Sequence, residues 1–171
     1  SVTQGLLEFL PISSSGHLVV FGYFLNFSDH GLLLDVSMHL GSLCAVCLYF
    51  NREILDILKG LPGLISKEKN ENELLSLNVI LSSIPIIIIG GIIFLTGLAD
   101  KLRNIEIIAL STIVFALLLY YADKDQMGKG KSIKELKSTE AILVGLAQVF
   151  AVIPGASRAG VVFTATRFLK I

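Results

Sequence analysis

Two short polar segments interrupt apolar stretches of this chain, and they carry the residues best able to do chemistry. The first is Pro11-Ile12-Ser13-Ser14-Ser15-Gly16-His17. Ser13, Ser14 and Ser15 bring hydroxyls. With Gly16 they also bring backbone N–H groups at the start of a helix, which bind phosphate through unpaired amides and the helix dipole. His17 adds an acid–base group that titrates near neutrality. Glu8 stands alone among Leu6, Leu7, Phe9 and Leu10, and a carboxylate in such surroundings is costly enough to mark a functional position. Gln4 falls one turn earlier on the same helix face. The second segment is Pro154-Gly155-Ala156-Ser157-Arg158-Ala159-Gly160. Arg158 keeps its charge and forms two-pronged bonds to phosphate. Gly155 and Gly160 let backbone approach a ligand closely, and Ser157 offers a further hydroxyl. An acid, an imidazole, hydroxyls, amide donors and a guanidinium together suit phosphoryl or pyrophosphate binding. A plain serine cap at Ser13–Ser15 and a snorkelling Arg158 are the structural alternatives.

The elements that must position these residues are membrane elements. Hydrophobic residues make up 53% of the 171 and charged ones only 16%, against roughly 25% charged in a soluble domain. Mean hydropathy is +0.76. The formal net charge is zero, so nothing in it argues for nucleic acid. Cys44 and Cys47 lie in an apolar run without a nearby His or Asp cluster and read as packing residues. Three stretches approach the roughly 20 apolar residues that a crossing helix needs: about 33–50, 74–98 and 105–122. Pro85 and Gly90-Gly91 in the second are expected to shape its packing. Asp35 and His39 lie a turn apart near the start of the first, where interfacial solvation and support of the site explain them equally well.

Residues 1–27 and 139–171 each read as two apolar halves around one of the polar segments, each half too short to span. Pro and Gly at the centres disfavour a continuous helix, which predicts two re-entrant hairpins with polar tips. Lysines and arginines crowd 51–73 and 123–138, so the positive-inside rule makes both segments cytoplasmic. The first hairpin then enters from the outside and the second from the cytoplasm. Gly5-Leu6…Pro11-x-x-Ser14 also matches Gly145-Leu146…Pro154-x-x-Ser157. Similar elements of opposite orientation predict an inverted-topology repeat with its site where the tips meet. The expected fold is an all-α polytopic membrane protein: a first repeat over 1–122, a cytoplasmic loop at 123–138 and the start of a second repeat at 139–171. Both ends read as cut, with the second repeat's spans expected beyond Ile171.

The run from Gln4-Gly5-Leu6-Leu7-Glu8 through Pro11-Ile12-Ser13-Ser14-Ser15-Gly16-His17 resembles the first signature of the undecaprenyl-pyrophosphate phosphatases. Pro154–Gly160 is similar to their second signature, and His39-Leu40-Gly41-Ser42-Leu43 to a further family segment. The resemblance covers essentially the whole chain. It implies a bacterial inner-membrane enzyme that hydrolyses undecaprenyl pyrophosphate to the monophosphate, recycles the carrier for cell-wall polymers and confers bacitracin resistance. It implies a divalent cation, Mg²⁺ or Ca²⁺, with Gln4 and Glu8 as its pair, and implicates Glu8, Ser13, Ser14, His17, Ser157 and Arg158. Ala159 stands where the family has Ser, which leaves one phosphate contact missing or supplied elsewhere.

The expected mechanism has Arg158 and the amides near Ser13–Gly16 holding the diphosphate. Glu8 binds the cation or acts as base, Ser14 or water attacks, and His17 moves the proton. The residues do not decide between Ser14 and water. Expected partners are the polyprenyl pyrophosphate and membrane lipids, with a homodimer left open and the site facing the non-cytoplasmic side. A lipid-phosphate carrier or flippase without hydrolase activity is the rival reading. The type 2 phosphatidic acid phosphatases fit poorly, since Thr164 stands where their second His belongs.

Overall fold

The computed structural model describes residues 5, 7–8, 10–14, 16–17, 31–66, 68–102, 104–124 and 130–171, with 31–36, 100 and 134 in their backbone. The elements are helical, and no strand occurs among the described residues. In order they are α1 (Gly31–Tyr49), α2 (Asn51–Gly60), α3 (Glu71–Leu95), α4 (Leu98–Leu102), α5 (Ile105–Asp123), α6 (Ser138–Gln148) and α7 (Arg158–Phe168). Short 3₁₀ turns occupy Leu61–Ile65, Ile133–Glu135 and Val149–Val152.

Local chemistry sets the helix starts. Asn70 caps α3 by accepting from Glu73 N at 2.9 Å, while its own N–H donates to Glu73 Oε2 at 3.1 Å, a reciprocal capping box. Asn104 opens α5 by accepting from Glu106 N at 3.0 Å. Within the expected span of about 74–98, α3 stops at Leu95. Thr96 turns its hydroxyl back onto the Ile92 carbonyl at 2.9 Å, and Gly97 follows with φ +67°, a left-handed stop that glycine makes without a Cβ penalty. Leu98 accordingly belongs to α4. Pro85 sits inside α3 without ending it.

Helices α3 and α5 are each long and apolar enough to cross a bilayer. Their exposed residues include Ile87, Ile92, Phe94, Leu110, Ile113 and Leu117, while Ser76, Asn78 and Ser111 are buried. Apolar side chains outward and polar ones inward is the pattern of a protein whose solvent is lipid. The chain is therefore a helical membrane protein.

Helix α6 packs along α3, and α7 packs against both α5 and α6. The α3–α6 approach depends on Gly145, where an added Cβ would lie 2.6 Å from the Ser82 carbonyl oxygen. Gly60 plays the same part between α2 and α3, facing the Asn72 carbonyl and the Ser76 hydroxyl. Among the described residues, a Cβ at Gly90 would meet Val152 at 3.8 Å, and one at Gly91 would have no neighbour within 4 Å.

The segment before α6 is docked onto the end of α7. Lys131 N donates to the Lys170 carbonyl at 2.9 Å, and Arg167 pairs with Asp123 of α5 at 3.0 Å. The start of α6 and the ends of α5 and α7 thus share one end of the molecule.

Glu140 in the first turn of α6 fastens that end. Its carboxylate accepts from Lys137 N at 2.9 Å and from Lys131 Nζ at 3.0 Å. The backbone bond from Lys137, and then the Lys131 ammonium, hold its pKa below the ordinary carboxylate value. A depressed pKa stabilises the fold above the unfolded-state value, and that contribution disappears as pH falls through the folded-state value. Glu140→Gln should therefore lower the unfolding temperature at pH 7. Below about pH 4, where carboxylates protonate, the gap to the parent should close; a gap that persists unchanged in acid would contradict this role.

Candidate active site

The first polar segment is a serine-capped helix start. Pro11 cannot continue the helical turn before it, and Ser13 becomes the cap of the next helix. Its hydroxyl accepts from Gly16 N at 3.1 Å, the bond a cap makes to the third helical residue. Ser14, Gly16 and His17 are helical. Ser13 and Ser14 are both buried. The Ser14 hydroxyl donates to Glu8 Oε2 at 2.9 Å. His17 Nδ1 lies 2.7 Å from the Ser13 carbonyl oxygen. A carbonyl can only accept, so Nδ1 carries the proton there, and in the neutral ring the lone pair is on Nε2. His39 of α1 brings Nε2 to 3.9 Å from the Glu8 oxygen that Ser14 engages, an ion pair only when the ring is protonated.

The second polar segment is a tight turn between α6 and α7. Gly155 has φ +97° and Ser157 has φ 54° with ψ 117°. A serine in that region carries about 1–3 kcal/mol of strain and persists only where its surroundings over-determine it. Ser157 caps α7 by accepting from Gly160 N at 3.3 Å. From α5, the Ser111 hydroxyl donates to the Pro154 carbonyl at 2.6 Å and the Thr112 hydroxyl to the Gly155 carbonyl at 3.3 Å. Gly155 N donates in turn to the Ser13 hydroxyl at 3.2 Å.

That last bond joins the two segments. Gly160 also faces the Pro11 carbonyl, which a Cβ there would meet at 3.4 Å. The geometry thus gathers Glu8, Ser13, Ser14, Gly16 and His17 beside Gly155 and Gly160. Ser157 spends its oxygen on its own helix. Arg158 opens α7 with its side chain exposed, and among the described residues it forms no hydrogen bond or ion pair. Its guanidinium is not in contact with Glu8, Ser14 or His17. Gln4 and Ser15 lie outside the described residues, as does the side chain of Asp35.

Sequence reasoning overlooked Ser111 and Thr112, which belong to no motif. The signal was there, however: hydroxyl side chains within an apolar membrane helix usually find a partner across the helix interface. His39 was noticed, and its place beside Glu8 is decided by the geometry alone.

For a divalent cation, the described residues contain no group of three or more His, Cys, Asp or Glu able to hold one. Magnesium needs no such cage, because one or two carboxylates plus substrate phosphates suffice. Glu8 at the joined tips fits that limited part.

Comparison with known proteins covers the whole chain. The family model described as bacitracin resistance protein BacA matches residues 1–171. The undecaprenyl-diphosphatase of Pelagibacter ubique is 44% identical, over 99% of this chain and 62% of its own length. That of Maricaulis maris is 42% identical over 100% of this chain and 63% of its own. That of Aliivibrio salmonicida is 40% identical over 99% and 63%. The chain thus spans less than two thirds of the length of these relatives.

Gly155→Ala is the substitution the turn should tolerate least. A Cβ would meet the Ser111 hydroxyl, the Ile108 carbonyl at 2.6 Å and Thr112 Oγ1 at 2.8 Å, at a φ that L residues avoid. The expected loss is about 2 kcal/mol or more, read as a lower unfolding midpoint in detergent. An unchanged midpoint would contradict the packing described.

Proposed function

The chain belongs to the family of the bacitracin resistance protein BacA, and from that membership we propose that it serves the hydrolysis of undecaprenyl pyrophosphate to undecaprenyl phosphate and inorganic phosphate. The relatives named above carry the name undecaprenyl-diphosphatase. The product is the lipid carrier of cell-wall polymers, so the activity recycles that carrier and confers resistance to bacitracin. The observation that carries the chemistry is the 2.9 Å bond from the Ser14 hydroxyl to Glu8. It pairs a nucleophile with a base at a tip joined through Ser13 to the turn bearing Arg158.

In the proposed reaction Arg158 and the amides at the first tip bind the diphosphate. An exposed guanidinium next to a helix start suits a phosphate arriving from outside the protein. Ser14 Oγ attacks the terminal phosphorus and Glu8 takes its proton. The bond from that phosphorus to the bridging oxygen breaks, and the lipid monophosphate leaves. Water then cleaves the phosphoserine to release phosphate, with His17 Nε2 as the acceptor of its proton. Direct attack by water with Glu8 as base gives the same products. In the alternative role Glu8 would hold a divalent cation instead of taking the proton, and the ion would neutralise phosphate charge. Gln4 is the proposed second ligand.

We read 1–27 and 139–171 as re-entrant hairpins of an inverted repeat, with the site open to the non-cytoplasmic side of the bacterial inner membrane. Support comes from the shared end of α6 and α7, the exposed apolar faces of α3 and α5, and the lysine-rich segments at 51–73 and 123–138. The carrier reading has no comparable observation behind it, since a carrier needs no hydroxyl aimed at a carboxylate.

The test is phosphate release from undecaprenyl pyrophosphate by the full-length protein in detergent, with and without Mg²⁺. Arg158→Ala, Glu8→Gln and Ser14→Ala should each lose about 100-fold or more in kcat/KM, and the parent should depend on the metal. Acid-stable phosphoserine at Ser14, with net retention of configuration at an isotopically chiral terminal phosphorus, would support covalent attack, whereas net inversion would exclude it. Lipid binding without release by the parent would overturn the hydrolase.

A further inference from the structure

We propose that Ser111 on α5 is a positioning residue for this reaction: its hydroxyl fixes the turn that carries Arg158 and is joined to the tip bearing Ser14 and Glu8. The inference rests on the hydrolase reading and adds to it a residue outside both signature segments.

Ser111 is buried, and its hydroxyl has two carbonyls in reach. One is Ile108 of its own helix at 3.0 Å; the other is Pro154 of the turn at 2.6 Å. The shorter distance assigns the single proton to Pro154. A serine that merely bonded back to its own helix would not approach the turn so closely. Gly155 leaves no slack at this contact, because a Cβ there would collide with the Ser111 hydroxyl. Thr112, the next residue, adds a second bond to the Gly155 carbonyl. The same glycine donates to the Ser13 hydroxyl, so α5, the turn and the first tip are tied in sequence at Ser111, Gly155 and Ser13.

What this array holds is a strained piece of backbone. Ser157 keeps its positive φ only three residues beyond Pro154, and Arg158 follows it directly. Without Ser111 the Pro154 carbonyl loses its partner, and the turn is free to relax toward ordinary φ values. Relaxation would swing the guanidinium away from the phosphate position, and a displacement of about 1 Å at a reacting group costs on the order of 100-fold in rate. Ser111 touches no substrate in this scheme. It acts through Arg158.

The deciding measurement is a double-mutant cycle on the full-length protein with undecaprenyl pyrophosphate as substrate. Ser111→Ala should lower kcat by about 10-fold or more, and Ser111→Thr should recover most of it. In an Arg158→Ala background, Ser111→Ala should cost nothing further. An equal loss in both backgrounds would mean a purely structural role and overturn the proposal, as would undiminished kcat in folded Ser111→Ala. If Ser111→Ala fails to fold, Thr112→Val removes the neighbouring bond at constant shape, and unchanged kcat there also overturns it. Failure of the hydrolase reading looks different, because Arg158→Ala would then leave phosphate release intact or the parent would release none.

Discussion

The Ser13 hydroxyl receives two backbone N–H groups, one from Gly16 in its own helix and one from Gly155, 142 residues away. The joining of the two polar segments depends on that shared acceptor. The first bond starts a helix and so fixes where Ser14 and His17 point. The second brings a turn from the far end of the chain against that start. A capping hydroxyl has two lone pairs, and both are used here. A single atom therefore sets the local geometry of one tip and its distance to the other.

Such a joint must satisfy its own backbone groups. On the re-entrant reading proposed above no water would be at hand, so protein must do it. The chain answers with hydroxyls: Ser111 and Thr112 supply donors to the two carbonyls of the turn, and Ser13 supplies the acceptor for its N–H. Buried serines and outward isoleucines along α3 and α5 follow from the same constraint.

The helical class, the two polar segments and two of the crossing helices were legible in the sequence, because they rest on hydropathy and on Pro and Gly breaking apolar runs. The stop after Leu95 was not. It turns on Thr96 folding back and on Gly97 adopting positive φ, which hydropathy does not register against a following Leu-Ala. The close approach of α6 to α3 was not legible either: it falls at Gly145, since a glycine matters only where another backbone faces it. At the site, residue types pointed to Glu8, Ser14, His17 and Arg158 as candidates. The partners Ser111, Thr112 and His39 became readable only with the register between α5, α1 and the tips.

Adjacent serines with different work also follow from geometry. Side chains one residue apart at a helix start diverge by about 100°, so Ser13 and Ser14 cannot face the same neighbour. Ser13, at the cap, turns inward to the amides. Ser14, one position on, turns to Glu8. The Ser13 carbonyl meanwhile takes the proton side of His17, leaving the basic nitrogen of the ring on its other edge. A hydroxyl beside a carboxylate and an imidazole held in one tautomer thus arise within the ten residues from Glu8 to His17. Exchanging the roles of the two serines would require the helix to begin one residue later, which would move His17 off the Ser13 carbonyl and Gly155 off its acceptor together.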